Sequence, residues 1–423
     1  MIKILKDYKS FDEVINRKID DYGEYQVKVN AILKNVRDNG DKALFEYAEK
    51  FDGVKLDKLK VSDEEYEIAE KELSGRFKET LKRAKANIEE FHALQLKKDF
   101  ELKRSNGVIL GQRYTPIEKV GLYVPGGTAS YPSTVLMNAI PARLAGVKKV
   151  FMTTPVKADK KVKSEILYAA ELCGVDAVYK TGGAQAIAAM TYGTESIPKA
   201  DKIVGPGNIF VALAKKAVYG QVGIDMVAGP SEILIIADET AVPAYVAADL
   251  LSQAEHDKLA SAVLVTTSEK LANEVSVEIE KQIDKLERKE IARVSVDTNG
   301  KIIIVKEMDE AIKVSNAIAP EHLELCVKEP FEVFKKITDA GSVFLGNNTP
   351  EPLGDYYAGV NHTLPTSGNA RFSSPLSVDD FIKKTTYLYY TDNALKAAAD
   401  DVIDFATSEG LTAHANAVKV RKR

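Results

Sequence analysis

"KVGLYVPGGTASYPSTVLMNAIPARLAGVKKVFMTTP", Lys119–Pro155, holds two short apolar runs on either side of a longer, mixed stretch. The first run, "KVGLYV", stops at Pro and Gly, the middle reads as a helix ending near "ARLAG", and "KKVFMTTP" reads as the next strand. Strand, helix, strand with turn residues at each junction predicts a right-handed βαβ unit in a parallel sheet. The pattern recurs in "DAVYKTGGAQ" (176–185), "DKIVGPGN" (201–208), "SEILIIADE" (231–239), "SAVLVTTS" (261–268) and "KIIIVK" (301–306). The fold class is therefore α/β, with mostly parallel sheets.

Upstream, the texture differs. The first 115 or so residues read as charged amphipathic helices, as in "YQVKVNAILKNVRDNGDKALFEYAEKF" (25–51) and "DEEYEIAEKELSGRFKETLKRAKANIEEFHAL" (63–94), where apolar positions recur at three and four. No long linker or low-complexity segment interrupts the chain, so domain boundaries fall in short turns. A chain of 423 residues, 45% hydrophobic and 28% charged, is too long for one compact core and predicts two large domains with appendages.

Charge and composition exclude several classes. Lys and Arg number 58 against 62 Asp and Glu, a net charge of -4, and the basic run "VKVRKR" at the end reads as a solvated terminus, so nucleic acid is not an expected partner. No apolar run is long enough to span a membrane, and "MIKILKDYKS" puts charges where a signal peptide needs apolar residues; the expected location is cytoplasmic. Cys173 closes an apparent helix in "AAELCGVDAV" and Cys326 lies in "LELCV", and core packing is expected for both.

Three Gly-bearing turns follow strands: "PGG" (125–127), "TGG" (181–183) and "GPGN" (205–208). Open α/β sheets bind ligands at such places, although each is equally a tight turn and none is the GxGxxG fingerprint. Of the five histidines, His92 is expected at the surface of a charged helix, and the other four lie in polar stretches. His256 shares a helical face with Gln253 in "DLLSQAEHDKL", a polar face being the plainer alternative. Asp355 falls in "EPLGDYYAGVNHTLPTSG", expected to be loop, and His414 in "SEGLTAHAN". Gln253, His256, Asp355 and His414, two oxygens and two nitrogens, would suit Zn²⁺ or a similar divalent ion if the fold brings them together. In "AIAPEHLEL", Pro320 is expected at the first helical position, which makes Glu321 and His322 first-turn residues, a pair of bases or simply an acidic helix start.

Taken together, "GLYVPGGTASYPSTVLMNAIPARLAGVKKV", "GGAQAIAAMTYGTESIPKADKIVGPGN", "IDMVAGPSEILIIAD", "DLLSQAEHD", "APEHLEL" and "GVNHTLPTSGNARFSSPLSVDDF" resemble the histidinol dehydrogenase family, in order, from about residue 20 to the C-terminus. The resemblance implies an enzyme that uses Zn²⁺, one per subunit, and NAD to oxidise L-histidinol through L-histidinaldehyde to L-histidine, the last steps of histidine biosynthesis. It makes Gln253, His256, Asp355 and His414 the metal ligands, Glu321 and His322 the proton acceptors, and Tyr123, Gln185 and Asn208 the NAD contacts. Ser231, Gln253, His256, His322, Asp355, Glu409 and His414 would contact substrate, with His362 a further substrate-side residue. Two Rossmann-like, incomplete dinucleotide-type parallel-sheet domains are implied, plus small N-terminal and C-terminal helical segments. The implied boundaries are 1–19 for the N-terminal segment, 20–122 with 231–376 for a large α/β domain carrying metal and catalytic residues, 123–230 for the NAD-binding domain, and 377–423 for a segment reaching the partner's site in a homodimer.

The chemistry such residues support is specific. Alcohol to acid needs two hydride transfers with hydration of the aldehyde between them; His322 suits removal of the alcohol proton, and Glu321 suits activation of water. A cysteine thiohemiacetal is disfavoured, since neither Cys173 nor Cys326 sits in a ligand loop. The alternatives are a zinc and NAD-dependent dehydrogenase of another amino alcohol, or a non-catalytic metal-dependent binding protein.

Overall fold

The computed structural model describes residues 1–6, 22–126 and 130–422, so Gly127 of the "PGG" turn and most of the 1–19 segment lie outside the described residues. In chain order, β1 (Lys3–Leu5) is followed by helices α1 (Gly23–Asp52), α2 (Asp63–Glu72) and α3 (Gly75–Ala93). Buried Val29, Ile32, Leu33 and Val36 form one stripe of α1, and Ala43, Leu44 and Ala48 continue it after Gly40, whose φ of 51 bends the helix. A reciprocal Ser62–Glu65 capping box opens α2. His92, expected at the surface, is fully buried in α3 and its Nδ1 lies 2.7 Å from Gln95 Oε1; the stripe Leu81, Ala84, Ile88 and His92 puts it on the packed face.

Residues expected to extend the helical region instead form β2 (Phe100–Lys103) and β3 (Ile109–Pro116), antiparallel partners. All residues of β2 are exposed, so no buried-face periodicity marked it as a strand.

The first parallel sheet follows: β4 (Lys119–Tyr123), α4 (Pro132–Leu144), β5 (Lys149–Thr154), α5 (Ser164–Leu172), β6 (Ala177–Lys180), α6 (Gly183–Tyr192), β7 (Lys202–Val204), α7 (Ile209–Val218) and β8 (Gly223–Ile224). Its strand order is β6-β5-β4-β7-β8, every pair parallel. The chain winds outward one way from β4 and then the other, which leaves a crevice between the carboxyl ends of β4 and β7. Helix α1 packs on α6 and α7, α2 on α5, and α3 on α4.

The second parallel sheet uses β9 (Glu232–Ala237), α8 (Pro243–Ala254), β10 (Ser261–Thr266), α9 (Glu269–Ile283), α10 (Lys289–Thr298), β11 (Lys301–Ile304), α11 (Met308–Ile318), β12 (His322–Cys326), α12 (Pro330–Phe334) and β13 (Ser342–Leu345). The order β1-β11-β10-β9-β12-β13 repeats the same winding about β9, with β1 added at the edge. Every residue of β9 is buried: Ile233, Ile235 and Ala237 enter one core and Leu234 and Ile236 the other, which is why its sequence is a continuous apolar run. The expected α/β class with two Rossmann-like sheets is what the chain forms. Both cysteines are buried, Cys326 within β12 and Cys173 at the end of α5.

Three local expectations are corrected. Helix α11 ends at Ile318, Ala319 turns the chain with φ of 49, and Glu321 immediately precedes β12 while His322 opens it, so neither is in a helix: parallel pairing to β9 and β13 outweighs the local Pro and acidic signal. Asp355 is not in a loop but on the short helix α13 (Glu351–Tyr356). Gln253 sits in the last turn of α8 and His256 lies just beyond its end, its N–H donating to the Gln253 carbonyl at 3.1 Å.

Last come β14 (Ile382–Tyr389), α14 (Asp392–Ser408) and α15 (Thr412–Lys419). Strand β14 pairs antiparallel with β3, giving a three-stranded sheet β14-β3-β2 that was not expected. The chain divides into two compact units, Met1–Gln95 with Glu118–Phe381, which holds both parallel sheets, and Leu96–Ile117 with Ile382–Arg423.

Candidate active site

The main chain of one residue, Glu232, organises the two expected bases. The Glu232 N–H at the start of β9 donates to Glu321 Oε2 at 2.9 Å, and the Glu232 carbonyl accepts from His322 Nδ1 at 3.0 Å. Parallel pairing of β12 with β9 sets this up by placing His322 opposite Ile233. The imidazole is thereby oriented with Nδ1 committed to the main chain and Nε2 turned to the site. His322 Nε2 lies 3.7 Å from Glu351 Oε1 and 3.8 Å from Asp355 Oδ1, and its Nδ1 lies 3.7 Å from Glu321 Oε2.

Burial governs the protonation states. It pushes the Glu321 carboxyl up to about 7, with His322 opposing the rise. Burial alone would lower His322, but the surrounding carboxylates, Glu321 foremost, raise it to about 10. Asp355 would likewise rise on burial, yet the imidazoles of His322 and His362 hold it at about 2. Desolvation lowers His256 and His362. His362 Nδ1 donates to the Asp355 carbonyl at 3.1 Å and lies 3.9 Å from Asp355 Oδ1, so it belongs to the same cluster.

The cluster has the marks of a cation site. Gln253 Oε1 and Nε2, His322 Nε2 and Glu351 Oε1 are buried without a hydrogen-bond partner among the described residues. Such orphaned atoms are costly unless something satisfies them. Ligating atoms of His322, Glu351 and Asp355 all lie within 4.8 Å of one another. Mixed nitrogen and oxygen donors of this kind fit Zn²⁺ or a similar divalent ion. Of the expected ligands, Asp355 is a member of this cluster, Gln253 lies beside Glu351, and His256 feels the charges of Asp355, His322 and His362. Ser231 directly precedes Glu232. Glu409 and His414 belong to the other compact unit, at the end of α14 and within α15.

Two contributors were not anticipated from sequence. Glu351 stands four residues before Asp355, a spacing that puts both carboxylates on one face once the segment is helical. The Glu232 peptide acts through its main chain and leaves no side-chain signature.

Tyr123, Gln185 and Asn208 line one cavity of about 520 Å³ in the same unit. Its wall is built at the carboxyl ends of the first sheet's strands: Tyr123 closes β4, Thr154 closes β5, Gly183 and Gln185 follow β6, and Asn208 follows β7. The Gly183 N–H donates to the Tyr123 hydroxyl at 3.1 Å, and burial pushes that phenol up to about 12. Asn208 caps α7, its Oδ1 accepting from the N–H groups of Phe210 and Val211 at 3.1 and 3.3 Å. Gly126 approaches so closely that a Cβ there would lie 2.3 Å from Pro155 Cγ. Asp52, last residue of α1, also lines the cavity, and burial raises it to about 6.

Two doubly wound sheets, a cavity at the switch point of one and a buried carboxylate–imidazole–amide cluster in the same unit are the layout of an α/β enzyme, and one that an oxidoreductase can use. The chain belongs to the histidinol dehydrogenase family, whose model matches residues 15–422. It is 54% identical over 426 residues to the histidinol dehydrogenase of Clostridium acetobutylicum, covering 100% of this chain and 99% of that one. It is 56% identical over 407 residues to that of Lactococcus lactis subsp. lactis, covering 96% and 94%. The crystal structure of histidinol dehydrogenase from Elizabethkingia anophelis superposes with a TM-score of 0.95 at 41% identity, over 99% of this chain and 98% of that one.

Proposed function

We propose that this dehydrogenase converts L-histidinol to L-histidine through L-histidinaldehyde, with NAD as the hydride acceptor and one zinc ion per subunit. The observation that carries this reading is the pair of bases held by the N–H and the carbonyl of Glu232, beside buried polar atoms that lack partners among the described residues. The overall balance is one alcohol, one water and two NAD⁺ giving one carboxylate, two NADH and three protons. The chemistry bound zinc would supply is a fixed positive charge that orders the substrate's imidazole and amino nitrogens, with Gln253, His256, Asp355 and His414 as its ligands.

With the carboxylates that raise it offset by a bound cation, the His322 imidazole is neutral and its Nε2 takes the alcohol proton as the first hydride leaves. Glu321 then takes a proton from the water that adds to the aldehyde, which lets the second hydride depart from the hydrate. Ser231, Glu409 and His362 hold substrate. Residues 123–230 form the NAD-binding domain, Tyr123, Gln185 and Asn208 being its contacts. The working form is a homodimer in the cytoplasm; among the described residues no helix is long and apolar enough to cross a membrane.

The decisive assay is stoichiometric. Each histidinol consumed is expected to yield two NADH and one histidine, measured by absorbance at saturating NAD⁺ with product quantified in parallel. One NADH with free aldehyde accumulating would contradict the scheme. Zinc and histidine binding with no NADH at all would mark a non-catalytic binding protein.

The cofactor assignment has its own test. Asn208→Asp keeps the Oδ1 acceptor that caps α7 but replaces the amide donor with a charged oxygen. The expected outcome is an apparent KM for NAD⁺ raised about 10-fold or more, with the KM for histidinol nearly unchanged. The reverse pattern would move the cofactor elsewhere.

A further inference from the structure

Beneath the loop that carries Asn208 lies an ion pair with no part in the chemistry above. Lys215, on α7, and Asp225, just after β8, form a salt bridge in which the side chains are 2% and 1% exposed. Both charges are spent on one glycine. Lys215 Nζ donates to the Gly205 carbonyl at 3.0 Å, and the Gly205 N–H donates to Asp225 Oδ2 at 2.7 Å. Asp225 Oδ1 accepts in addition from the Met226 N–H at 2.7 Å. The two polar groups of the Gly205 main chain are thus each held by one member of a pair of opposite charges.

Gly205 is also where the chain has least freedom to choose another path. Its φ is 118, in the region that favours glycine, and a Cβ there would lie 2.1 Å from the Tyr123 carbonyl oxygen. The glycine therefore rests directly against the end of β4, whose last residue lines the cavity, and three residues later Asn208 lines it too. A charge pair this deeply buried pays a large desolvation penalty, and apolar residues of similar volume would often stabilise a fold as well or better. Its presence calls for a reason other than stability. In an ordinary dinucleotide fold a glycine-rich turn fixes the cofactor loop; this chain has no GxGxxG fingerprint, and the turn at Gly205 is held by the charge pair.

We propose that Lys215 and Asp225 are positioning residues of the cofactor site: by locking the Gly205 peptide they hold Tyr123 and Asn208 in one fixed relation across the cavity. The pair touches neither cofactor nor substrate, and acts through the loop. This inference rests on reading the cavity as the NAD site.

The test uses the zinc-loaded enzyme and the double variant Lys215→Met with Asp225→Asn, which removes both charges and leaves no orphaned ion. NAD⁺ affinity is measured by titration without histidinol and as KM in turnover, alongside kcat, the KM for histidinol and bound zinc. Preorganisation predicts NAD⁺ Kd and KM raised about 10-fold or more, with kcat at saturating NAD⁺ within about threefold of wild type and zinc and histidinol binding unchanged. A folded variant whose NAD⁺ affinity stays within about twofold of wild type would overturn the proposal and leave the pair a packing feature. If the double variant does not fold, Lys215→Gln with Asp225→Asn, which leaves no buried charge and offers both Gly205 main-chain groups a neutral partner, is judged by the same criterion. Asn208→Asp measured beside them separates the two failures: if it weakens NAD⁺ binding and the ion-pair variants do not, only this proposal falls. If none of the variants affects NAD⁺ binding, the cofactor reading itself falls.

Discussion

Glu321→Gln is expected to slow oxidation of L-histidinaldehyde by about 10²-fold or more while the alcohol half-reaction suffers much less, and His322→Asn to impair the alcohol half by a similar factor. The size follows from removing a positioned general base, and the separation follows from geometry. Glutamine keeps an oxygen that accepts from the Glu232 N–H, so the side chain stays in place and loses only its ability to take a proton. Asparagine keeps a donor that reaches the Glu232 carbonyl as His322 Nδ1 does, and loses the nitrogen that faces Asp355 and Glu351. Burial raises the Glu321 carboxyl to about 7, which makes it a stronger base than a solvated carboxylate near neutral pH. Single-turnover measurements started separately from alcohol and aldehyde read the two halves, and zinc content is expected to match wild type in both variants. Small, equal effects on both halves would remove the assignment.

The roles just separated were only partly visible in the chain. The parallel strands were legible because they are buried on both faces, so "EILIIA" must be apolar at every position but its first. The helices over 23–93 were legible because one stripe of each is buried. The antiparallel sheet was not, since β2 and most of β14 expose their side chains and carry no alternation enforced by a core. "APEHLEL" misled for a different reason: Pro followed by Glu is a local helix signal, whereas the strand exists through parallel pairing that sets His322 opposite Ser342 of β13 and opposite Ile233 of β9, the latter nearly ninety residues away in sequence. Gln253, His256 and Asp355 were singled out by donor chemistry and family resemblance. Glu351 was passed over because it looks like any surface glutamate until α13 turns it inward, where it is buried beside His322. Main-chain roles such as that of the Glu232 peptide cannot be read from side-chain letters at all.

Mixing an inactive His414→Ala chain with an inactive His256→Ala chain is expected to restore about half the wild-type activity per heterodimer, because a two-fold assembly with exchanged ligands has one site carrying both defects and one carrying neither. The reason to expect exchange lies in the unit formed by Leu96–Ile117 and Ile382–Arg423. Its buried hydrophobic residues are Val108 and the alanines 394, 399, 406 and 415, while Phe100, Leu102, Leu388, Tyr389 and Phe405 are each more than half exposed. A core of small side chains supplies little burial, and an apolar surface of that kind marks a contact. A second copy of the chain is the covering surface consistent with a homodimer, and it would carry Glu409 and His414 to the site holding Gln253, His256 and Asp355. Chains bearing different affinity tags, co-expressed and purified through both, give heterodimers of known composition. Zinc per heterodimer is expected at about one, against two in the wild-type dimer, because only the intact site retains all four ligands. Purified heterodimers that show neither activity nor bound zinc would mean that His414 serves its own chain's site and that the dimer, if present, shares nothing.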